Sequence, residues 1–181
     1  FGHRDPRIDE AVTWLLEQQL PDGGWNCETV RVGAQHGSFH TSISTLDALL
    51  AYQTARGGIE VESAMSRGRR FFLKHQLFCS HRTGKPVDPA FTRFPFPPQW
   101  HFDIMRGLEH FWMSGSRRDE GLSRGIESVR NKARSDGRWP IFRAYPGRYW
   151  FKMESGRGPG RWSTLRAIRI LRWWEAQRGS A

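Results

Sequence analysis

The sequence contains little lysine, little cysteine and no long apolar run. With only four lysines, arginine supplies nearly all of a net charge of +10, which favours an anionic partner such as nucleic acid, anionic lipid or a phosphorylated ligand. Two cysteines are too few for a disulfide framework, and no charged-then-apolar leader opens the chain, so we expect a cytoplasmic protein. The apolar runs are far shorter than the roughly 20 residues that a membrane span needs.

The 181 residues include 38% hydrophobic and 13% aromatic side chains. This aromatic content excludes a disordered chain, and the length predicts one domain that buries a sizeable core. Because the first residue is Phe1 rather than Met, we expect the chain to be an excerpt of a longer protein.

Apolar periodicity predicts an all-α fold with no strands. An amphipathic helix alternates three times with a more apolar one, which gives helix-pair repeats at about 7–57, 58–115 and 116–178 within one domain, 1–181. The six predicted helices span residues 7–19, 41–55, 60–77, 99–114, 118–133 and 163–176.

Two turns of similar sequence close the first and third amphipathic helices. Asp22-Gly23-Gly24-Trp25 and Asp136-Gly137-Arg138-Trp139 place their tryptophans 114 positions apart, which is two repeats. The Asp-Gly pair supplies the left-handed residue that a helix C-terminus favours. We expect both tryptophans to pack back across these joints and to be largely buried.

The pattern Gln19-x-x-x-Gly23-x-Trp25 resembles the Gln-Trp repeat motif of squalene and hopene cyclases. At the third turn Ala133 replaces the glutamine. The alternating helices also resemble the α/α toroid of triterpene cyclases and protein prenyltransferase β subunits. The resemblance implies an α/α toroid-like arc of three helix pairs, part of a longer toroid, with an apolar isoprenoid-type ligand in a central cavity.

The motifs that carry the chemistry of those families are absent from this sequence. It has no Asp-x-Asp-Asp acid and no Asp-rich magnesium motif, so the specific activity stays open and we predict no cofactor. Cys27, His36 and His40 could ligate zinc, but their spacing differs from that of the prenyltransferases. The interpretation that we favour is a buried cysteine with histidines that cap a helix, and we expect the isolated protein to lack zinc.

The predicted catalytic residues are His101, Asp103 and His40. His101 and Asp103 open a predicted apolar helix, where they could be a proton donor and its orienting partner or simply polar groups that suit a helix start. We expect the starts of the three apolar helices to converge on one concave pocket. The predicted ligand-binding residues are Trp100, Arg106, Glu154, Arg161 and Trp162.

The glycine-rich stretch 156–160, followed by Arg161, could seat an anion at a helix N-terminus or serve as a connector. It lacks the Gly-Lys-Ser/Thr ending of a nucleotide loop, which excludes ATP or GTP binding there. The remaining aromatics are expected mostly to pack, and some to line the cavity. These are Phe71, Phe72, Phe94, Phe96, Trp112 and Phe142.

A second function from a different class stays open. Arg166, Arg169 and Arg172 recur every third residue and could bind phosphates or a protein partner in a non-catalytic helical-repeat module. More often such a stripe is a solvated face. The aromatic content favours an apolar small-molecule ligand, and we expect nucleic-acid binding to be weak. Peripheral membrane contact, the missing half of the toroid and a second copy are the other partners compatible with the sequence.

Overall fold

The computed structural model describes residues 5–177. It divides into two compact units, of which the first ends at Phe72 and the second begins at Leu73. The helices are α1 (Arg7–Glu17), α2 (Thr29–Val32), α3 (Phe39–Arg56), α4 (Ile59–Lys74), α5 (Ile104–Met113), α6 (Ser123–Arg130) and α7 (Arg161–Ala176), with 3₁₀ segments at Pro89–Thr92 and Glu120–Leu122.

The predicted all-α class is confirmed over residues 5–177, which contain helices and no β-strand. Only two isolated bridges occur there, Cys79 with Pro86 and Pro140 with Pro159. The long helices follow one another as predicted, α1 before α3, α4 before α5 and α6 before α7. Their arrangement as a toroid-like arc stays a prediction. Within the described residues, no helix has the length and apolar character needed to span a bilayer.

Two predicted helix ends are wrong because local backbone geometry stops the helix. The predicted start at Gln99 moves to Ile104, since Asp103 is extended and its Oδ1 accepts the N–H of Arg106 at 2.9 Å. An aspartate in this position caps a helix rather than lying inside it. The helix predicted to reach Leu77 ends at Lys74, because Gln76 and Leu77 have φ angles of 46° and 69°.

The third amphipathic helix is shorter than the predicted 118–133. Its first turn is the 3₁₀ segment Glu120–Leu122, capped by Asp119, and α6 follows as Ser123–Arg130. The four-residue helix α2 was not predicted, because it falls in what the sequence presents as a loop.

In the first unit, Trp25 joins α1 to α3. Its side chain is 2% exposed, and its indole Nε1–H donates to the carbonyl of Leu15 at 2.7 Å. The backbone carbonyl of Trp25 accepts the N–H of Ser38, the residue that caps α3. The Gln19 amide also donates to the carbonyl of Ala64 at 2.9 Å, which links this turn to α4.

In the second unit, Trp139 makes the same connections between α6 and α7. It is 4% exposed, its Nε1–H donates to the carbonyl of Val129 at 2.7 Å, and its carbonyl accepts the N–H of Gly160. In both turns the indole reaches a carbonyl ten residues earlier, and the backbone is bonded to the residue just before the next helix. The predicted burial of both tryptophans is confirmed, and the two turns share the same set of hydrogen bonds.

The core of the second unit lies where α5 contacts α6 and α7. Gly107 and Gly125 lie within this core. An added Cβ at Gly125 would lie 2.5 Å from Cδ1 of Leu77, and one at Gly107 would lie 3.1 Å from the ring of Phe102. A side chain at either position would therefore require a buried neighbour to shift.

Candidate functional site

The candidate site of the second unit lies in the irregular segment between Trp139 and α7. The two ends of this segment are joined at its base. The N–H of Ile141 donates to the carbonyl of Gly158 at 3.2 Å, and the Ser163 hydroxyl donates to the carbonyl of Pro140 at 2.7 Å. Held in this way, the segment forms one wall of a cavity, although it has no regular secondary structure of its own.

The cavity has a volume of about 560 Å³, which is within the range of small-molecule sites. Most of its lining is apolar, and the Phe94 and Phe142 rings lie 5.1 Å apart. Of the six aromatics expected mostly to pack, Phe94, Phe96 and Phe142 line it. The other apolar lining residues are Pro97, Ile141, Ala144, Trp150, Phe151 and Met153.

The charged residues at the cavity are three cations and one carboxylate. Arg143, Arg148 and Lys152 line it together with Glu154. Glu154 is the one predicted ligand-binding residue that lines this cavity. Its carboxylate accepts the backbone N–H groups of Arg161 and Trp162 and so caps α7. Gly160 has no side chain with which to do so.

Trp162 packs against an aromatic ring beside this cap, whereas the Arg161 side chain extends into solvent. The Trp162 ring stacks on Phe96 with centroids 4.6 Å apart and an interplanar angle of 12°, so it supports a ring that lines the cavity. The Arg161 side chain is 83% exposed, with its Nε 3.7 Å from the Glu154 carboxylate. The anion proposed for this helix N-terminus is therefore replaced by the protein's own carboxylate.

Trp100 and His101 form an aromatic stack with Tyr145, a residue that the sequence did not single out. The His101 ring lies 3.8 Å from that of Trp100 and 3.6 Å from that of Tyr145. Burial lowers the pKa of His101, which favours the neutral form of its imidazole. Arg106 donates to the carbonyl of His101 at 3.1 Å, and it thereby holds the backbone that precedes α5.

Asp103 is fully buried. Its Oδ1 caps α5, whereas its Oδ2 has no hydrogen-bond partner within residues 5–177. Burial raises the pKa of Asp103 to about 6, although the positive charge of Arg166 opposes the shift. Burial, together with the charge of Asp103, also raises the pKa of Tyr145 to about 12. Asp103 can therefore both cap a helix and hold a proton near neutral pH.

Arg166 does not belong to a solvated arginine stripe, which corrects the commoner interpretation of Arg166, Arg169 and Arg172. Its side chain is 5% exposed and forms a bidentate ion pair with Glu109, with both N–O distances 2.7 Å. A three-residue spacing drifts around a helix of 3.6 residues per turn. Arg166 consequently faces the core, while Arg169 and Arg172 are exposed.

The remaining predicted residues lie in the first unit. His40 is in the first turn of α3, and Cys27 is exposed, with its N–H donating to the Thr41 hydroxyl at 3.4 Å. Within residues 5–177, no three His, Cys, Asp or Glu side chains are grouped so that they could hold a metal ion. The convergence of His40 with His101 and Asp103 stays a prediction.

The sequence reasoning missed Tyr145 and Glu109. Tyr145 lies in a segment whose irregular backbone gives no periodicity from which a side chain's direction could be inferred. Glu109 follows Asp103 by six residues and precedes Arg166 by 57, and only the packing of α5 on α7 brings the last pair together. Comparison of the chain with models of protein families, with curated proteins and with solved structures finds no match.

Proposed function

We propose that this protein binds an apolar, isoprenoid-type ligand, as its resemblance to terpene cyclases and prenyltransferases implies. The observation that carries the proposal is the cavity of about 560 Å³ with its aromatic lining. A hydrocarbon chain placed there would lose its contact with water, and burial of apolar area contributes about 25 cal/mol per Å². Phe94, Phe96 and Phe142 would present ring faces and edges to it.

The two carboxyl groups that could act as acids, those of Glu154 and Asp103, support ligand binding more directly than they support a reaction. Glu154 is engaged at the N-terminus of α7, so it is not free to act as an acid. Asp103 has a pKa of about 6 and would be the proton donor if the ligand is transformed. It does not itself line the cavity, so a reaction through Asp103 would require a path for the proton from its carboxyl group to the ligand.

The arginine-rich alternative is less well supported. With Arg166 paired to Glu109, the stripe on α7 retains two exposed cations, and a phosphate-binding surface normally needs more. For the second unit we therefore prefer an apolar ligand in the cavity over a phosphate backbone bound by this stripe.

The test is the binding of uncharged polyprenyl alcohols, such as farnesol and geranylgeraniol, followed by tryptophan fluorescence. Ser155 is exposed and lines the cavity, so Ser155→Trp should fill part of it and weaken binding about tenfold or more, which corresponds to about 1.4 kcal/mol. Ser135→Trp is the matched control, because Ser135 is also exposed, lies in the same unit and does not line the cavity.

Binding should depend little on salt, because its driving force is buried hydrocarbon area. The proposal fails if neither alcohol binds saturably. It fails equally if Ser155→Trp and Ser135→Trp bind the alcohols as the unaltered protein does.

A further inference from the structure

Two adjacent aromatic side chains project into solvent from the second unit. Trp150 is 89% exposed and Phe151 is 72% exposed, and both lie in a stretch without regular secondary structure, residues 147–157, which we call the Trp150 loop. Isolated exposed apolar residues are common on protein surfaces, but adjacent large aromatics with this exposure mark an interaction site.

The charge around these rings is almost entirely positive. Between residues 143 and 161 the chain carries one carboxylate and five cations, which are Arg143, Arg148, Lys152, Arg157 and Arg161. The carboxylate, Glu154, is 11% exposed and is occupied by the N-terminus of α7. Arg143, Arg148, Lys152 and Arg157 are exposed, and none of them forms an ion pair with a residue in the described part of the chain. Arg148 also lies over the Trp150 ring, 5.3 Å from its centroid.

We propose that the Trp150 loop is a docking site for an anionic phospholipid surface. Tryptophan favours the boundary between headgroups and hydrocarbon because its ring is large and apolar and its N–H can still reach a polar partner. Phe151 adds apolar surface, and transfer of that surface out of water is favourable. The surrounding cations are attracted to the negative potential of an anionic leaflet, with each cation near the surface strengthening binding about fivefold.

A lipid surface suits the loop better than a single-stranded nucleic acid. Nucleic-acid grooves alternate ring faces with phosphate-binding cations along an extended path, whereas here the two rings are neighbours and open onto an apolar cavity. Trp150 and Phe151 both line the cavity of about 560 Å³. Docking would therefore place one wall of that cavity at the lipid boundary, where apolar molecules concentrate. The proposal goes beyond ligand binding and does not require a ligand in the cavity.

The experiment is co-sedimentation of the full chain with vesicles. One set is phosphatidylcholine, and the other contains about 30% phosphatidylserine, which supplies the negative surface potential. We expect binding to the anionic vesicles only, and we expect it to fall when salt is raised to about 0.5 M, because the charges are then screened.

Two independent variants separate the contributions. Trp150→Ala with Phe151→Ala should weaken partitioning about tenfold by removing the apolar contact. Arg148→Gln with Lys152→Gln should weaken it about tenfold or more through lost charge. All four side chains are exposed, so neither variant should unfold the protein, and circular dichroism checks this. Trp14→Ala is the matched control, since Trp14 is an exposed tryptophan (52%) outside the loop.

The proposal is overturned if binding to the two vesicle compositions is equal, or if the aromatic double variant partitions as the Trp14→Ala control does. It is also overturned if the protein does not sediment with either kind of vesicle and instead binds single-stranded RNA through the four residues changed in the two variants.

Discussion

Among single residues, Asp103 has the environment that most alters its chemistry. Its side chain is fully buried, and burial raises its pKa to about 6 from the usual value near 4. The folded state thus holds a proton at pH values where the unfolded chain has released it. The stabilising contribution is fully present below pH 4 and is lost as the pH rises through 6.

We therefore predict that the protein loses about 2 kcal/mol of unfolding free energy, through Asp103 alone, between pH 4 and pH 7. Asp103→Asn should abolish this loss, because the amide oxygen keeps the cap to Arg106 and cannot ionise. Urea denaturation at several pH values measures the difference. Asp119→Asn, which changes an exposed cap, should retain the Asp103-dependent loss. Parallel curves for the unaltered protein and Asp103→Asn would contradict the prediction.

A second feature at this scale is the Arg166–Glu109 pair. The Glu109 carboxylate compensates the charge of Arg166 through two hydrogen bonds, and this pairing allows an arginine to occupy a core position on α7. Removal of either partner would leave the other charge uncompensated. Sequence spacing alone favoured a surface role, because an arginine is rarely buried unless it is paired, and the partner lies 57 residues away.

At the scale of elements, the two tryptophan joints share one pattern of hydrogen bonds. Each indole bonds a carbonyl of the preceding helix or its end, and each backbone carbonyl bonds the residue before the next helix. We predict that Trp25→Ala and Trp139→Ala each cost roughly 3–5 kcal/mol of unfolding free energy, because each empties a buried site of its largest ring.

Chemical denaturation measures both losses. Trp14→Ala, at a half-exposed position on α1, should cost under about 1 kcal/mol. A loss that small at Trp25 or Trp139 would show that the joint does not hold its helix pair.

The elements also show what the sequence could and could not predict. Helix existence followed from the apolar period, so each of the six predicted helices has a counterpart. The helix ends depend on backbone conformation, such as the extended Asp103 and the left-handed Leu77. Apolar periodicity carries no information about these conformations. Of the predicted ligand-binding residues, Glu154 lines the cavity and Trp162 stacks on Phe96, which also lines it. Their part in ligand binding stays a prediction. Tyr145 was not predicted, because it lies on irregular backbone that gives no periodicity.

At the scale of the whole molecule, the features on which the functional predictions rest lie in different compact units. The Gln19-to-Trp25 motif that carries the family resemblance lies in the first unit, while the aromatic cavity and Asp103 lie in the second. The motif lies at a helix joint, whereas the proposal of an apolar ligand rests on the resemblance together with the cavity. That proposal is the central claim.

Isothermal titration of geranylgeraniol into the protein at several temperatures tests that claim most directly. Burial of a hydrocarbon chain in the cavity predicts saturable binding with a negative heat-capacity change, whatever the balance of enthalpy and entropy at any one temperature. It also predicts nearly the same affinity at low and high salt. The absence of saturable heat, or a heat-capacity change indistinguishable from zero, would contradict an apolar ligand in this cavity.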